Sequence, residues 1–114
     1  MEIKGENYSI TYNSSTETIN CNGTLRLYGS EGYSDILDLF SKIIEQNPKI
    51  ITLNLKGLQF LNSSGINMLS KFVIKVRNQN ISRLIVHGAN QHTWQGKSLK
   101  NLQKLMPNLT LELS

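Results

Sequence analysis

One stretch constrains this chain more than any other: Ile50-Ile51-Thr52-Leu53-Asn54-Leu55, then Lys56-Gly57-Leu58-Gln59-Phe60-Leu61, then Asn62-Ser63-Ser64-Gly65-Ile66. Residues 50–55 form a short apolar run with β-branched members, the pattern of a central strand. Gly57 marks residues 56–61 as a short connection. From Gly65 onward the period changes. Ile66, Leu69, Phe72, Val73 and Val76 fall on one face at 3.6-residue spacing, so a helix follows. Asn62, Ser63 and Ser64 are all N-cap types placed where that helix must start. A hydroxyl there faces unpaired backbone N–H groups and the positive end of the helix dipole, an environment that stabilises a phosphate.

The rest of the chain fits around that unit. Tyr8–Tyr12 alternates, Asn13–Thr16 is a turn cluster, and Thr18–Asn22 resumes the strand pattern, so residues 8–22 predict an antiparallel hairpin. Tyr28–Tyr33 reads as a loop with two glycines. Ser34 or Asp35 then caps a helix carrying Ile36, Leu37, Phe40, Ile43 and Ile44, stopped by Pro48. The second helix, after Ser63, ends near Asn78–Asn80. Arg83–Gly88 is a further short strand, a third helix carries Leu99, Leu102, Leu105 and Met106 up to Pro107, and Leu109–Leu113 alternates as a last, edge strand. Strand–helix–strand–helix–strand order requires parallel strands with right-handed crossovers. The fold class is therefore α/β: one domain over residues 1–114, with a mixed sheet made of an N-terminal antiparallel hairpin and parallel central strands, and about three helices.

Several functions lose their footing at this level. No apolar run has the length of a bilayer span, and the polar N-terminus has no signal-peptide core, which leads to the expectation of a cytoplasmic protein. The lone Cys21 makes no internal disulfide and sits in a strand pattern, where a small buried hydrophobe is its simplest role. His87 and His92 have no carboxylate near in sequence, so no metal site is expected. The segment around Ser63 and Ser64 is not Gly-x-Ser-x-Gly, no triad is marked, and no glycine-rich phosphate loop or other cofactor motif occurs, so a non-enzymatic protein is expected. The net charge is +4, but the cations are dispersed along the chain without a basic run or an aromatic RNA-binding motif, which makes nucleic-acid binding a poor expectation. Trp94 reads either as a core anchor or as an exposed contact residue.

An apolar strand, a short connection and then Asn62-Ser63-Ser64-Gly65 opening a helix resembles the STAS domain of bacterial anti-sigma-factor antagonists, whose signature is Asp-Ser-Ser-Gly or Asp-Ser-Thr-Gly. The resemblance runs from about residue 8 to the C-terminus, mostly in element order; the Trp94-Gln95-Gly96-Lys97 segment departs from the usual antagonists and resembles short stand-alone STAS regulators of cyanobacteria. It implies a phosphorylated serine at Ser63, with Ser64 as the alternative. It implies a partner surface around Arg26, Asn62, Ser63, Ser64, Gly65, Ile66 and Asn67. The implied partners are a histidine-kinase-like serine kinase or anti-sigma factor and a PP2C-type phosphatase, with no membrane and no cofactor. Two carboxylates of the family pattern are missing. Asn62 stands for the Asp before the serine, and Arg26 stands for the acid ending a Gly-Glu-Leu-Asp-like turn, here Gly23-Thr24-Leu25-Arg26. A guanidinium at that place pairs with a phosphoserine if it points there, and is a plain loop arginine if it does not.

Overall fold

The computed structural model describes all 114 residues. Six strands form a single sheet in sequence order: β1 (Glu2–Lys4), β2 (Tyr8–Asn13), β3 (Thr18–Leu25), β4 (Ile50–Leu61), β5 (Arg83–Gly88) and β6 (Thr110–Leu113). The pairings β1–β2 and β2–β3 are antiparallel, and the remaining three are parallel. Each parallel step carries a helical crossover: α1 (Gly29–Gly32) with α2 (Ser34–Glu45), α3 (Ser63–Gln79) and α4 (Thr93–Leu105). Crossovers of one hand between strands laid down in one direction stack their helices on one sheet face. The packing follows that rule, with α3 between α2 and α4.

One apolar core fills the space between sheet and helices. Ile10, Ile19, Leu53 and Val86 from the strands meet Phe40, Phe72, Val73 and Leu99 from the helices. The Phe40 and Phe72 rings lie 4.9 Å apart and tilted, a favourable aromatic geometry. The opposite sheet face is polar, because strand residues alternate sides. The register aligns Thr11, Asn20, Asn54, His87 and Glu112 across five strands. Asn54 Nδ2 donates to Asn20 Oδ1 at 2.9 Å, and His87 Nε2 lies 2.9 Å from Glu112 Oε2. Polar partners on that face let it stand in water without a covering layer.

Three local expectations are corrected. Residues 56–61 are not a connection: β4 runs unbroken to Leu61, with Gly57, Leu58, Phe60 and Leu61 paired to β3 through two register shifts. Leu58 and Leu61 are buried like Ile51 and Leu53, so the run continues inward-facing after the bulge. Gly57 serves close approach rather than a turn, because a Cβ there would collide with the Asn22 side chain. Likewise Gly23 is inside β3, not in a turn; its φ of +94° and its contact with the Asn7 carbonyl both demand glycine. Finally, the 28–33 loop contains the single helical turn α1, and the N-terminal strand β1 lies in a segment too polar and short to announce itself.

α4 substitutes for a missing strand. β5 accompanies β4 only as far as Asn54, opposite His87. Beyond that point side chains at the start of α4 meet the backbone of β4. His92 Nε2 bonds the Lys56 carbonyl at 2.9 Å, and the Trp94 indole N–H donates to the Leu58 carbonyl at 3.1 Å. Gln95, fully buried, donates from Nε2 to the Leu55 and Leu58 carbonyls at 2.7 and 3.0 Å and accepts the Ala89 N–H at 2.7 Å. Trp94 is therefore a half-buried anchor with its polar handle satisfied.

Candidate functional site

The C-terminal ends of β3 and β4 carry the site. In an open parallel sheet that edge is where loops and helix N-termini converge. Asn62 terminates β4 and caps α3: its backbone is extended (φ −78°, ψ 175°), and its Oδ1 accepts the Gly65 N–H at 3.0 Å. Oδ1 also accepts the Tyr33 hydroxyl at 2.6 Å, while Nδ2 donates to the Leu27 carbonyl at 2.7 Å. The Asn62 N–H donates to the Leu25 carbonyl at 3.2 Å. Two donors on one side and a carbonyl on the other fix the amide's orientation. An amide satisfies all three partners at once. An ionised carboxylate satisfies only the two donors, which gives Asn62 a structural reason of its own.

Tyr33 is the member of this network that the sequence did not announce. The sequence places it at the end of a loop with two glycines, yet it is fully buried. Burial raises its phenol pKa above the ordinary value, against a smaller opposing pull from the Leu27 backbone, so the hydroxyl stays protonated and donates. Gly65 lies under this network. A Cβ there would reach within 2.7 Å of the Tyr33 hydroxyl oxygen and drive into the Leu61 side chain. The glycine of the motif is needed for packing, not for an unusual backbone angle.

Ser63 is the first residue of α3 and is exposed; Ser64 is half-buried. Because Asn62 takes the Gly65 N–H, the N–H groups of Ser63 and Ser64 are the unpaired donors of the helix start, and no acidic residue occupies its first turn. Ser64 lines a cleft of about 430 Å³ together with Gly29, Ser30, Tyr33, Leu37, Asn67, Met68 and Lys71. Of the remaining predicted partner residues, Asn67 is exposed at this cleft, Ile66 is half-buried against the core, and Gly65 is buried beneath the surface it shapes. Lys71, two turns along α3, is one of the cations that look dispersed in the sequence. Its i+7 spacing from Ser64 could have placed the two on one face.

Arg26 is exposed and its guanidinium carbon sits 4.6 Å from the centroid of the Phe60 ring. It belongs to the segment whose flanking carbonyls, Leu25 and Leu27, both bond Asn62. Arg26 therefore borders the helix start while stacked on an aromatic ring. Tyr28, 91% exposed, follows two residues later at the start of α1.

A family model described as STAS domain matches residues 30–95, more than half of the sequence and including the whole of β4 and α3. The chain belongs to the STAS domain family. Solved structures with the same fold accompany that match. Apo-SiaC of Pseudomonas aeruginosa superposes with a TM-score of 0.75 at 9% identity, covering 100% of this chain and 97% of that one. SiaC in complex with the diguanylate cyclase SiaD, of which it is described as the activator, gives 0.73 at 12% identity, covering 99% and 97%. An anti-sigma factor antagonist from Mycobacterium paratuberculosis gives 0.64 at 14% identity, covering 98% of this chain and 82% of that one. No curated protein matches the sequence significantly. At such identities the likeness is one of fold, and this STAS domain must be read from its own side chains. No helix in it is long and apolar enough to cross a membrane. His87 and His92, 5 positions apart in the chain, serve different backbone and edge contacts.

Proposed function

We propose that this STAS domain is a non-catalytic, cytoplasmic phosphoprotein of a partner-switching system, phosphorylated on Ser63. The observation that carries the reading is the exposed Ser63 hydroxyl on the first turn of a 17-residue helix whose cap is fully bonded and whose first turn holds no acid. A phosphate there adds about −1.5 to −2 charges beside the free N–H groups of the helix start. The unmodified form binds a histidine-kinase-like serine kinase or anti-sigma factor through Arg26, Asn62 to Asn67 and the adjoining cleft. Modification desolvates poorly against that partner and releases it, and a PP2C-type phosphatase restores binding. A difference of about 1.4 kcal/mol already changes affinity tenfold. Ser64 is the alternative acceptor, but its half-buried place in the cleft favours Ser63. That a protein of this fold is an activator of a diguanylate cyclase supports a docking role for the fold.

Arg26 adds a feature of its own. An exposed cation–π stack contributes about 0.5–1 kcal/mol, whereas a charge-assisted hydrogen bond contributes about 1.5–3 kcal/mol. A phosphate on Ser63 thus outcompetes the Phe60 ring for the guanidinium once within reach.

A second reading, a constitutive docking module that is never phosphorylated, draws on one observation. The amide of Asn62, in place of the family carboxylate, is consumed by structural bonds. Intact mass with site mapping of the protein from its native cells separates the two. A phosphate on Ser63, removed by phosphatase, is the expected result. An unmodified chain under several growth conditions, with no modification by candidate kinases in vitro, overturns the switch in favour of the docking module.

A further inference from the structure

The charges of this chain are sorted by sequence position. Seven of its eight Asp and Glu residues precede Gln46, and from Gln46 to Leu111 there are nine lysines and arginines and no carboxylate. The fold turns this into a gradient across the helical layer. On α4 the buried face is Gln95, Leu99 and Leu102. Lys97, Lys100 and Lys104 lie opposite it by helical spacing and are all exposed. On the other side of α3, the exposed residues Glu31, Asp35, Asp38 and Glu45 of α1 and α2 surround one cation, Lys42. The outer ridge of α4 thus carries +3 and the α1–α2 flank −3. Between them, α3 contributes Lys71, Lys75 and Arg77 and no acid.

None of the ridge or flank charges is in an ion pair; the pairs in the molecule are Lys4–Glu2 and His87–Glu112. The distance between the two flanks also matters. Helices α2 and α4 are separated by α3, or about 16–20 Å at usual interaxial spacings. The screening length at physiological salt is about 8 Å. An approaching molecule therefore meets the two outer flanks separately, with Lys71 and Lys75 beside Asp38 in the groove between α2 and α3, and the net charge of +4 is screened at that range.

We propose that the basic ridge of α4 docks the acidic α1–α2 flank of a second copy of this chain. The two patches are opposite in sign and equal in magnitude, both lie on outer helices of the same layer, and neither forms an intramolecular ion pair. The contact joins two different surfaces, so it is heterologous, and it extends from copy to copy unless the geometry closes a ring. Exposed ion pairs are individually weak, so the association is salt-dependent and readily reversed. Its acidic face adjoins the Ser64 cleft through α1, and the contact stands independently of whether Ser63 is phosphorylated.

Sedimentation velocity of the full chain across a wide concentration range, at ~50 mM and ~500 mM NaCl, reads the association directly. The expected result is a concentration-dependent rise in sedimentation coefficient at low salt, with the apparent Kd weakening at least about tenfold at high salt. The triple variant Lys97→Glu, Lys100→Glu, Lys104→Glu and the triple variant Asp35→Lys, Asp38→Lys, Glu45→Lys each stay monomeric. An equimolar mixture of the two associates again, because the acidic flank of the first meets the intact lysine ridge of the second. Regained association also shows that both variants are folded. A wild-type chain that stays monomeric at low salt overturns the proposal. So does association that persists at high salt, or a mixture that fails to associate. A monomer that instead binds random duplex DNA at low salt reassigns the ridge to polyanions.

Discussion

Restoring the family carboxylate, Asn62→Asp, is the sharpest perturbation of this site. The change is isosteric, so packing is preserved and only hydrogen-bond chemistry alters. The Tyr33 hydroxyl and the Gly65 N–H, 2.6 and 3.0 Å from Oδ1, still find an acceptor. The Leu27 carbonyl, 2.7 Å from Nδ2, loses its donor and faces a carboxylate oxygen instead. A lost bond with an unsatisfied, partly buried acceptor costs about 1–3 kcal/mol. A negative charge at a helix N-terminus returns about 0.3–1 kcal/mol. The net expectation at pH 7 is a destabilisation of about 1–2 kcal/mol, which for a urea slope of about 2 kcal/mol per M lowers the midpoint by roughly 0.5–1 M. Protonation lets the acid donate to Leu27, which raises its folded pKa above the unfolded one, so the deficit shrinks as pH falls towards the ordinary Asp value of about 4 and is smallest below it. Urea unfolding of both proteins at pH 7 and at pH 3–4 measures this. A variant equal to or more stable than wild type at pH 7 would refute the claim that an amide is required here.

Other substitutions probe the supports of the site. Gly65→Ala forces a Cβ into Leu61 and towards the Tyr33 hydroxyl, and overpacking of this kind costs about 1–3 kcal/mol; thermal unfolding should show the loss, and an unchanged midpoint would mean that the helix start shifts freely. Gln95→Leu keeps the volume but takes the side-chain partner from the Leu55 carbonyl and the Ala89 N–H and leaves the Leu58 carbonyl to Trp94 alone, a loss of about 2 kcal/mol or more, whereas a loss under 1 kcal/mol in urea titration would show that water replaces the clamp. Burial pushes the Cys21 thiol up to about 12. Its folded pKa exceeds the unfolded one, so its contribution to stability is complete below about pH 8.5 and declines above that by up to about 1.4 kcal/mol per pH unit until the folded pKa is reached. The stability difference between wild type and Cys21→Ala should narrow from pH 8 to pH 10.5, and a pH-independent difference would contradict burial as the cause.

How much of this was legible beforehand differs by element. β5, α3 and the 8–22 hairpin carry clean periods of 2.0 or 3.6 and were read within a residue or two. The second half of β4 was not, because Gly57 and the polar Lys56 and Gln59 break the alternation where the bulges fall. The cap at Asn62 was legible as a residue type. Its bonds to Tyr33 and Leu27, 29 and 35 residues away, were not, since both lie across a crossover. Trp94 and Gln95 were visible as a departure from the family pattern; that they close the open side of β4 could be seen only once β5 was found to stop pairing at Asn54.

By itself, the sequence determined the order of the longer elements, the buried side of most of them and the residue types at the start of α3. These follow from local rules: period, capping chemistry, and the chirality of crossovers. Only the tertiary structure decided what those residues touch. It drew Tyr33 into the core to hold Asn62, stacked Arg26 on Phe60, placed Ser64 in a cleft and left Ser63 outside. It also gathered cations that look dispersed along the chain onto two neighbouring helices. Contacts between residues this far apart in the chain depend on how elements pack, and packing is a property of the whole core that no local pattern encodes.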